Sequence, residues 1–121
     1  MINIKEYNDE NVFAKILEGN LPCEKVFENE VVLAFNDINP QSQIHIIVIP
    51  KKKFCSFIDF YSDSDSEFYC NFFRSLGEIT KQLSLEDGYR IVCNVGVNGG
   101  QEVPHLHFHI LGGNKLGRLV P

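Results

Sequence analysis

Three histidines stand at alternate positions in Pro104-His105-Leu106-His107-Phe108-His109-Ile110-Leu111, out of 4 histidines in the whole chain. Alternation with Leu, Phe and Ile is the period of a half-buried β-strand. Successive side chains of a strand point to opposite faces, so His105, His107 and His109 are expected on one face, about 6.6–6.8 Å apart at Cα. Leu106, Phe108 and Ile110 would pack on the core from the other. A single histidine is usually a hydrogen-bonded structural residue. Three in a row on one face must each find a partner, and their crowding opposes protonation. Two chemistries suit such a cluster: ligation of a metal ion, or nucleophilic and acid–base work by neutral imidazole near pH 7. His45 lies on another expected strand, among Ile44, Ile46 and Ile47, from which it could bond a triad ring and fix its tautomer. It could also complete a four-histidine metal set. HxH alone is weak evidence for a metal without carboxylate or cysteine ligands at suitable spacing.

The elements that must hold these residues follow from periodicity and turn chemistry. Val12, Phe13, Ile16 and Leu17 form a short helical stripe ended by Gly19 and Pro22. Residues 26–35 read as two strands around a tight polar turn, and residues 36–43 as a loop. Ile44 to Ile49 is a third strand stopped by Pro50. A longer helix is expected after Ser64, which stands with Glu67 at capping-box spacing, carrying Phe68, Phe72, Leu76, Ile79 and Leu83. Tyr89 to Val95 gives a fourth strand and Val103 to Leu111 a fifth. The glycine-rich turn between them, Gly96 to Gln101, permits tight conformations and could offer backbone N–H groups to a phosphate. The expectation is an α+β domain spanning residues 1–121, with an antiparallel sheet of about five strands, one short helix and one long one.

Composition narrows the function further. A net charge of -5, with Lys51-Lys52-Lys53 the one basic run, argues against a nucleic-acid partner. No apolar stretch is long enough to cross a membrane. The charged first ten residues contain no apolar export segment. The cysteines at 23, 55, 70 and 93 form no CxxC pair and are expected to be reduced and mostly buried. A cytoplasmic protein is the expectation. Neither a GxxxxGKS/T phosphate loop nor GxGxxG or HExxH is present.

The run His105-Leu106-His107-Phe108-His109-Ile110-Leu111 resembles the HxHxHxx signature of the histidine triad (HIT) superfamily. The resemblance continues in order through residues 12–16, 33–40, 45–51, 88–94 and 99–101. Gly112-Gly113 is similar to the Hint, or purine nucleoside phosphoramidase, branch. The resemblance implies a HIT-like fold whose sheet extends across a homodimer. It also implies hydrolysis of adenosine 5′-phosphoramidates to AMP and an amine, with no cofactor and no metal. His107 would be the nucleophile and would carry the nucleotidyl intermediate. His109 would hold phosphate oxygens, and His105 with His45 would relay orientation to His107. Asp37 would accept from the ribose hydroxyls. Val12, Phe13, Ile16, Phe35 and Ile38 would form the purine slot, while Asn94 and Gln101 would line the phosphate and leaving-group side. This chain departs from the Hint pattern at Lys53, where a histidine is often found, and at Glu102, where serine is often found. Its tail, residues 114–121, lacks a tryptophan found in some members. A nucleotide-binding adaptor with slow turnover and a histidine-based metal module stand as the alternatives.

Overall fold

The computed structural model describes residues 1–119. Elements run α1 (Val12–Leu17), β1 (Lys25–Glu28), β2 (Val32–Asn36), β3 (Ile44–Pro50), α2 (Phe57–Asp63), α3 (Ser66–Gln82), β4 (Tyr89–Val92) and β5 (Phe108–Gly112). The strands form one antiparallel sheet in the order β1-β2-β3-β5-β4. The expected α+β class and five strands are present, with β1 and β4 at the edges.

Strand alternation divides the sheet into two unlike faces. Val32 and Ala34 of β2, Ile46 and Val48 of β3, and Phe108 and Ile110 of β5 join Phe60 of α2 and Phe68, Phe72, Leu76 and Ile79 of α3 in the larger core. The intervening residues Leu33, Phe35, Ile47 and Ile49 meet Phe13 of α1 in a smaller one. Helix α1 starts where Asn11 accepts from the Ala14 amide at 2.9 Å, a strong N-cap for so short a helix. The β1–β2 turn is tied by Asn29, whose side chain accepts from Val31 and Val32.

Several boundaries differ from the sequence expectation. Helix α2 was not anticipated: Ser56 and Asp59 close a capping box there, and Phe60 is fully buried. Ser64 therefore ends α2, and Asp65 caps α3 by accepting from Phe68 N–H. The apolar period identified α3, but the S-x-x-E spacing at Ser64 is coincidental because Asp65 stands one residue closer to the first turn. Strand β4 stops at Val92 and β5 begins only at Phe108, so His105 and His107 precede the strand. Cys55 is buried, Cys23 and Cys93 are half-buried, Cys70 is exposed, and all four are free thiols.

Candidate active site

β3 and β5 hold the site between them. Their register pairs His45 with Leu111 and Ile47 with His109, which sets His45 and His109 diagonally on the smaller-core face. Diagonal neighbours on one face lie within reach of long side chains, and here Nε2 of His45 is 2.9 Å from Nδ1 of His109. The Gln41 amide donates to Nδ1 of His45 at 3.0 Å. That bond puts the proton of neutral His45 on Nε2, which donates to His109 and lies 3.3 Å from Asp37 Oδ2. His109 accepts at Nδ1, so its Nε2 carries a proton free for another acceptor.

His107 is fixed differently. Its Nδ1 is 2.7 Å from the backbone carbonyl of His105. A carbonyl only accepts, so Nδ1 carries the proton and Nε2 keeps its lone pair. No buried side-chain nitrogen or oxygen lacks a partner among the described residues, and Nε2 has no protein partner, so it opens onto the cleft. Phe13 meets the His107 ring edge-on at 4.9 Å. The ring of His105 is fully buried and points away from this opening, with Nε2 3.1 Å from the Pro50 carbonyl. Thus His45 serves His109, and the path to His107 runs through the peptide of His105. The expected relay from His45 to His107 is absent from the geometry.

Electrostatics keep all four rings neutral at pH 7. Burial pushes His105 down to about 4, and the neighbouring His107 reinforces this. Burial, with His107 and His45 nearby, also brings His109 to about 4. Burial lowers His107 and His45 as well, opposed at both by Asp37, though the His105 carbonyl opposes it more at His107. A neutral imidazole with a bare nitrogen is a nucleophile.

Two adjoining hollows meet at Phe13, Asp37, Ile38 and Ile47. The first, about 440 Å³, is lined also by His45, His107, His109, Asn94 and Glu102. The second, about 350 Å³, is lined by Val12, Ile16, Phe35 and Cys23 as well. The five apolar residues expected around a base therefore do share one groove. Phe13 and Phe35 are buried as its floor, whereas Val12 is exposed and Ile38 is 91% exposed at its rim.

Gln101 does not line the cleft. Its amide donates to the carbonyls of Cys55 and Val103 and its oxygen accepts from Gly96 N–H, so the side chain is a strut between loops. The amides of Gly100 and Gln101 close turns onto Val97 and Gly96, so with Gly96 three of the N–H groups expected to face a phosphate are already used. Gly99 has a different necessity: a Cβ there would stand 2.3 Å from the Val95 carbonyl oxygen.

Sequence reasoning missed Tyr7, whose hydroxyl is 2.5 Å from Nδ1 of His105, and Gln41, which sets the tautomer of His45. Tyr7 lies in an aperiodic stretch far from the motif. Gln41 acts through its backbone, which no residue pattern reveals.

Asp37, His45 and His109 bring three ligand atoms within 4.8 Å of one another. Their chemistry fits a metal poorly. A metal on Nε2 of neutral His45 needs the ring proton on Nδ1, where the Gln41 N–H already points. The fourth histidine, His105, is turned to Pro50.

The family model described as the HIT domain matches residues 18–116. An uncharacterized 13.2 kDa HIT-like protein of Azospirillum brasilense is 45% identical over 117 residues, covering 96% of this chain and 96% of that one. An uncharacterized HIT-like protein of Rickettsia prowazekii is 44% identical over 115 residues, with 94% and 96% covered. Among solved structures, a histidine triad protein from Clostridium difficile superposes with TM-score 0.83 at 40% identity, over 93% of this chain and 98% of that one. A HIT family hydrolase from Legionella pneumophila gives 0.81 at 42%, over 88% and 95%.

Proposed function

The chain belongs to the HIT domain family, and from that premise we propose that it is a nucleotide hydrolase of the Hint-like branch, cleaving adenosine 5′-phosphoramidates to AMP and an amine. The observation that carries the reading is the bond from His107 Nδ1–H to the His105 carbonyl, which leaves Nε2 bare at the cleft. In this reaction Nε2 attacks the α-phosphorus, a P–N(His) bond forms, and the P–N bond to the amine breaks as the amine takes up a proton. Water then attacks phosphorus, the P–N(His) bond breaks, and AMP leaves. His109 Nε2–H donates to a phosphate oxygen as charge gathers there, the kind of contact that is strongest in the transition state. Asp37 accepts from the ribose, and the groove of Val12, Phe13, Ile16, Phe35 and Ile38 receives the purine. Asn94 lines the phosphate side. Glu102 lies in the same cleft as His107 and favours a cationic amine as leaving group.

Incubation with adenosine 5′-phosphoramidate, read as AMP release, tests the activity, and acid quench with mass spectrometry locates the intermediate. Label on His107 is expected; label on His105 or His109 overturns the assignment. A protein that binds AMP but never turns over is the adaptor alternative. Metal content is a separate test, with activity expected to survive chelation.

We also read the protein as a homodimer joined at β4. That strand is a sheet edge, with Tyr89 45% and Ile91 44% exposed, and an open apolar edge demands pairing or cover. Phe73 of α3, packed edge-on against Phe108 of β5, is also partly exposed. Beside it, Tyr69 stacks on Phe60 of α2 at 4.9 Å and meets the Phe73 ring edge-on at 5.1 Å. Within its own subunit the tail runs beside β4, where Arg90 donates to the Gly117 carbonyl at 2.6 Å, and its last two residues, 120 and 121, lie outside those described. Light scattering at micromolar concentration should give twice the 13.8 kDa chain mass. A monomer rejects this assembly. No helix among the described residues is long and apolar enough to cross a membrane.

A further inference from the structure

We propose that Tyr7 is a positioning residue of the triad: its hydroxyl donates to Nδ1 of His105 and so fixes the peptide whose carbonyl orients His107. The inference rests on the hydrolase reading for its kinetic consequence, and on geometry for its substance.

The His105 ring is fully buried, so each nitrogen depends on the protein for a partner. Nε2 lies 3.1 Å from the Pro50 carbonyl, which only accepts, so the ring's one proton is on Nε2. Nδ1 is then a buried acceptor in need of a donor. Tyr7 supplies it from the opposite end of the sequence, with its ring meeting His105 edge-on at 5.6 Å. Remove the hydroxyl and a buried acceptor is orphaned, at a cost that exceeds the worth of the bond itself. The ring has two ways out. It can turn away from Pro50 to bring Nδ1 to another donor, or it can take a second proton and put a charge beside His107. Either route disturbs the same residue whose carbonyl holds His107 Nδ1–H at 2.7 Å.

Tyr7 is itself held. Asn8, next along the chain, accepts at its carbonyl from both the backbone N–H and the side-chain amide of Asn11, the cap of α1. Lys53 sits over the Tyr7 ring at 5.9 Å and pairs with Asp9 at 2.8 Å, clamping the segment on its outer side. Lys53, a departure from the Hint pattern, thus has a local task in this chain. From α1, Phe13 lies edge-on to both His105 and His107, so the N-terminal segment and the two rings pack as one unit. The titratable groups influencing His105 besides Tyr7 are His107 and, from α2, Asp59. None of these donates to Nδ1.

The test uses the full chain with Tyr7→Phe, which keeps the aromatic ring and removes the donor alone. For turnover of adenosine 5′-phosphoramidate, kcat should fall on the order of tenfold with KM within about twofold, as for loss of one orienting hydrogen bond. The acid limb of the kcat profile should move to higher pH, because His105 no longer receives the bond that favours its neutral form. Ring ¹⁵N shifts of the unsubstituted protein at pH 7 should show His105 protonated at Nε2 and bare at Nδ1. In Tyr7→Phe the His105 and His107 ring signals should both change. Wild-type kcat and pH profile in a variant that merely melts lower would overturn the proposal, as would a His105 protonated at Nδ1 in the unsubstituted chain. If the unsubstituted chain releases no AMP, the hydrolase reading fails. The ring shifts of His105 and His107 still decide the role of Tyr7.

Discussion

The two faces of the sheet are made from the same three central strands and obey opposite rules. On the α3 side, Ala34, Val48 and Ile110 are packed among phenylalanines, with Phe60 and Phe72 wholly out of solvent. Nothing there needs a specific partner, since apolar contacts are non-directional and substitutes of similar volume are tolerated. On the α1 side, His45, His107 and His109 are each committed to one hydrogen-bonding orientation. Loss of a single named atom there misdirects a ring, whereas loss on the other side leaves a void. One face supplies most of the apolar burial, and the other sets neutral imidazoles beside a smaller core in a half-open cleft. Each should therefore fail in its own observable.

The sharpest break in the comparison is His107→Ala. Phosphoramidate hydrolysis should be abolished, far beyond the roughly 10²–10³-fold loss from removing one oxyanion donor, which is the scale expected for His109→Ala. Both variants should melt near the parent. A His107→Ala protein that still releases AMP would mean that the bare Nε2 is not the nucleophile.

Phe60→Ala is the counterpart on the far face. Truncating a fully buried phenylalanine typically costs about 3–5 kcal/mol, and Phe60 also touches Phe54, Phe72 and Tyr69. Denaturant unfolding should show that loss, while kcat per folded molecule stays at the parent value. An equal drop in kcat would mean that the faces are not separable.

Legibility in the sequence divided along the same line. The α3 face was readable because burial of apolar residues leaves a period: Phe68, Phe72, Leu76 and Ile79 announced the helix, and the strands declared themselves by alternation and turns. Helix α2 escaped because Phe57 and Phe60 are too short a run to establish a period. On the site face, the residue types and their shared groove were visible in the triad spacing and in the apolar residues near Asp37. The wiring was not. His105 and His107 fall outside β5, their bonds run to the carbonyls of Pro50 and His105, and Gln41 contributes only its N–H. Backbone partners carry no side-chain signature. Gln101 shows the converse, since its amide looked fit for a substrate and is wholly absorbed by neighbouring loops.

Acid should expose the site face selectively. His105 and His109 titrate at about 4 in the folded chain, against about 6.5 when unfolded. Between those values the unfolded state binds more protons, so stability rises with pH across the window and is lost as pH falls through it. Fully buried His105 adds a slope of about 1.4 kcal/mol per pH unit within the window, and half-exposed His109, screened by solvent, adds less. Urea midpoints from pH 7 down to pH 4 should fall steadily, and His109→Gln should flatten the curve by one histidine's share. A flat profile in the parent chain would show the rings to be freely protonated, contrary to their burial.

The smallest effect separates two isoleucines of the same sheet region. Ile110 is fully buried on the α3 face, whereas Ile38 hangs 91% exposed at the rim of the apolar groove. Exposed substitutions away from special features usually shift stability by no more than about 0.5 kcal/mol, so Ile38→Ala should leave the melting temperature unchanged. If the groove receives a purine, that side chain becomes covered only when substrate is bound. Its methyl groups then contribute to binding rather than to folding. KM for adenosine 5′-phosphoramidate should rise several-fold, as for cover of about one methylene's worth of this rim side chain at about 0.8 kcal/mol, with kcat unaltered. An unchanged KM would place the base elsewhere and leave Ile38 a bystander on the loop, while a lowered melting temperature would show that the rim is part of the fold's own packing.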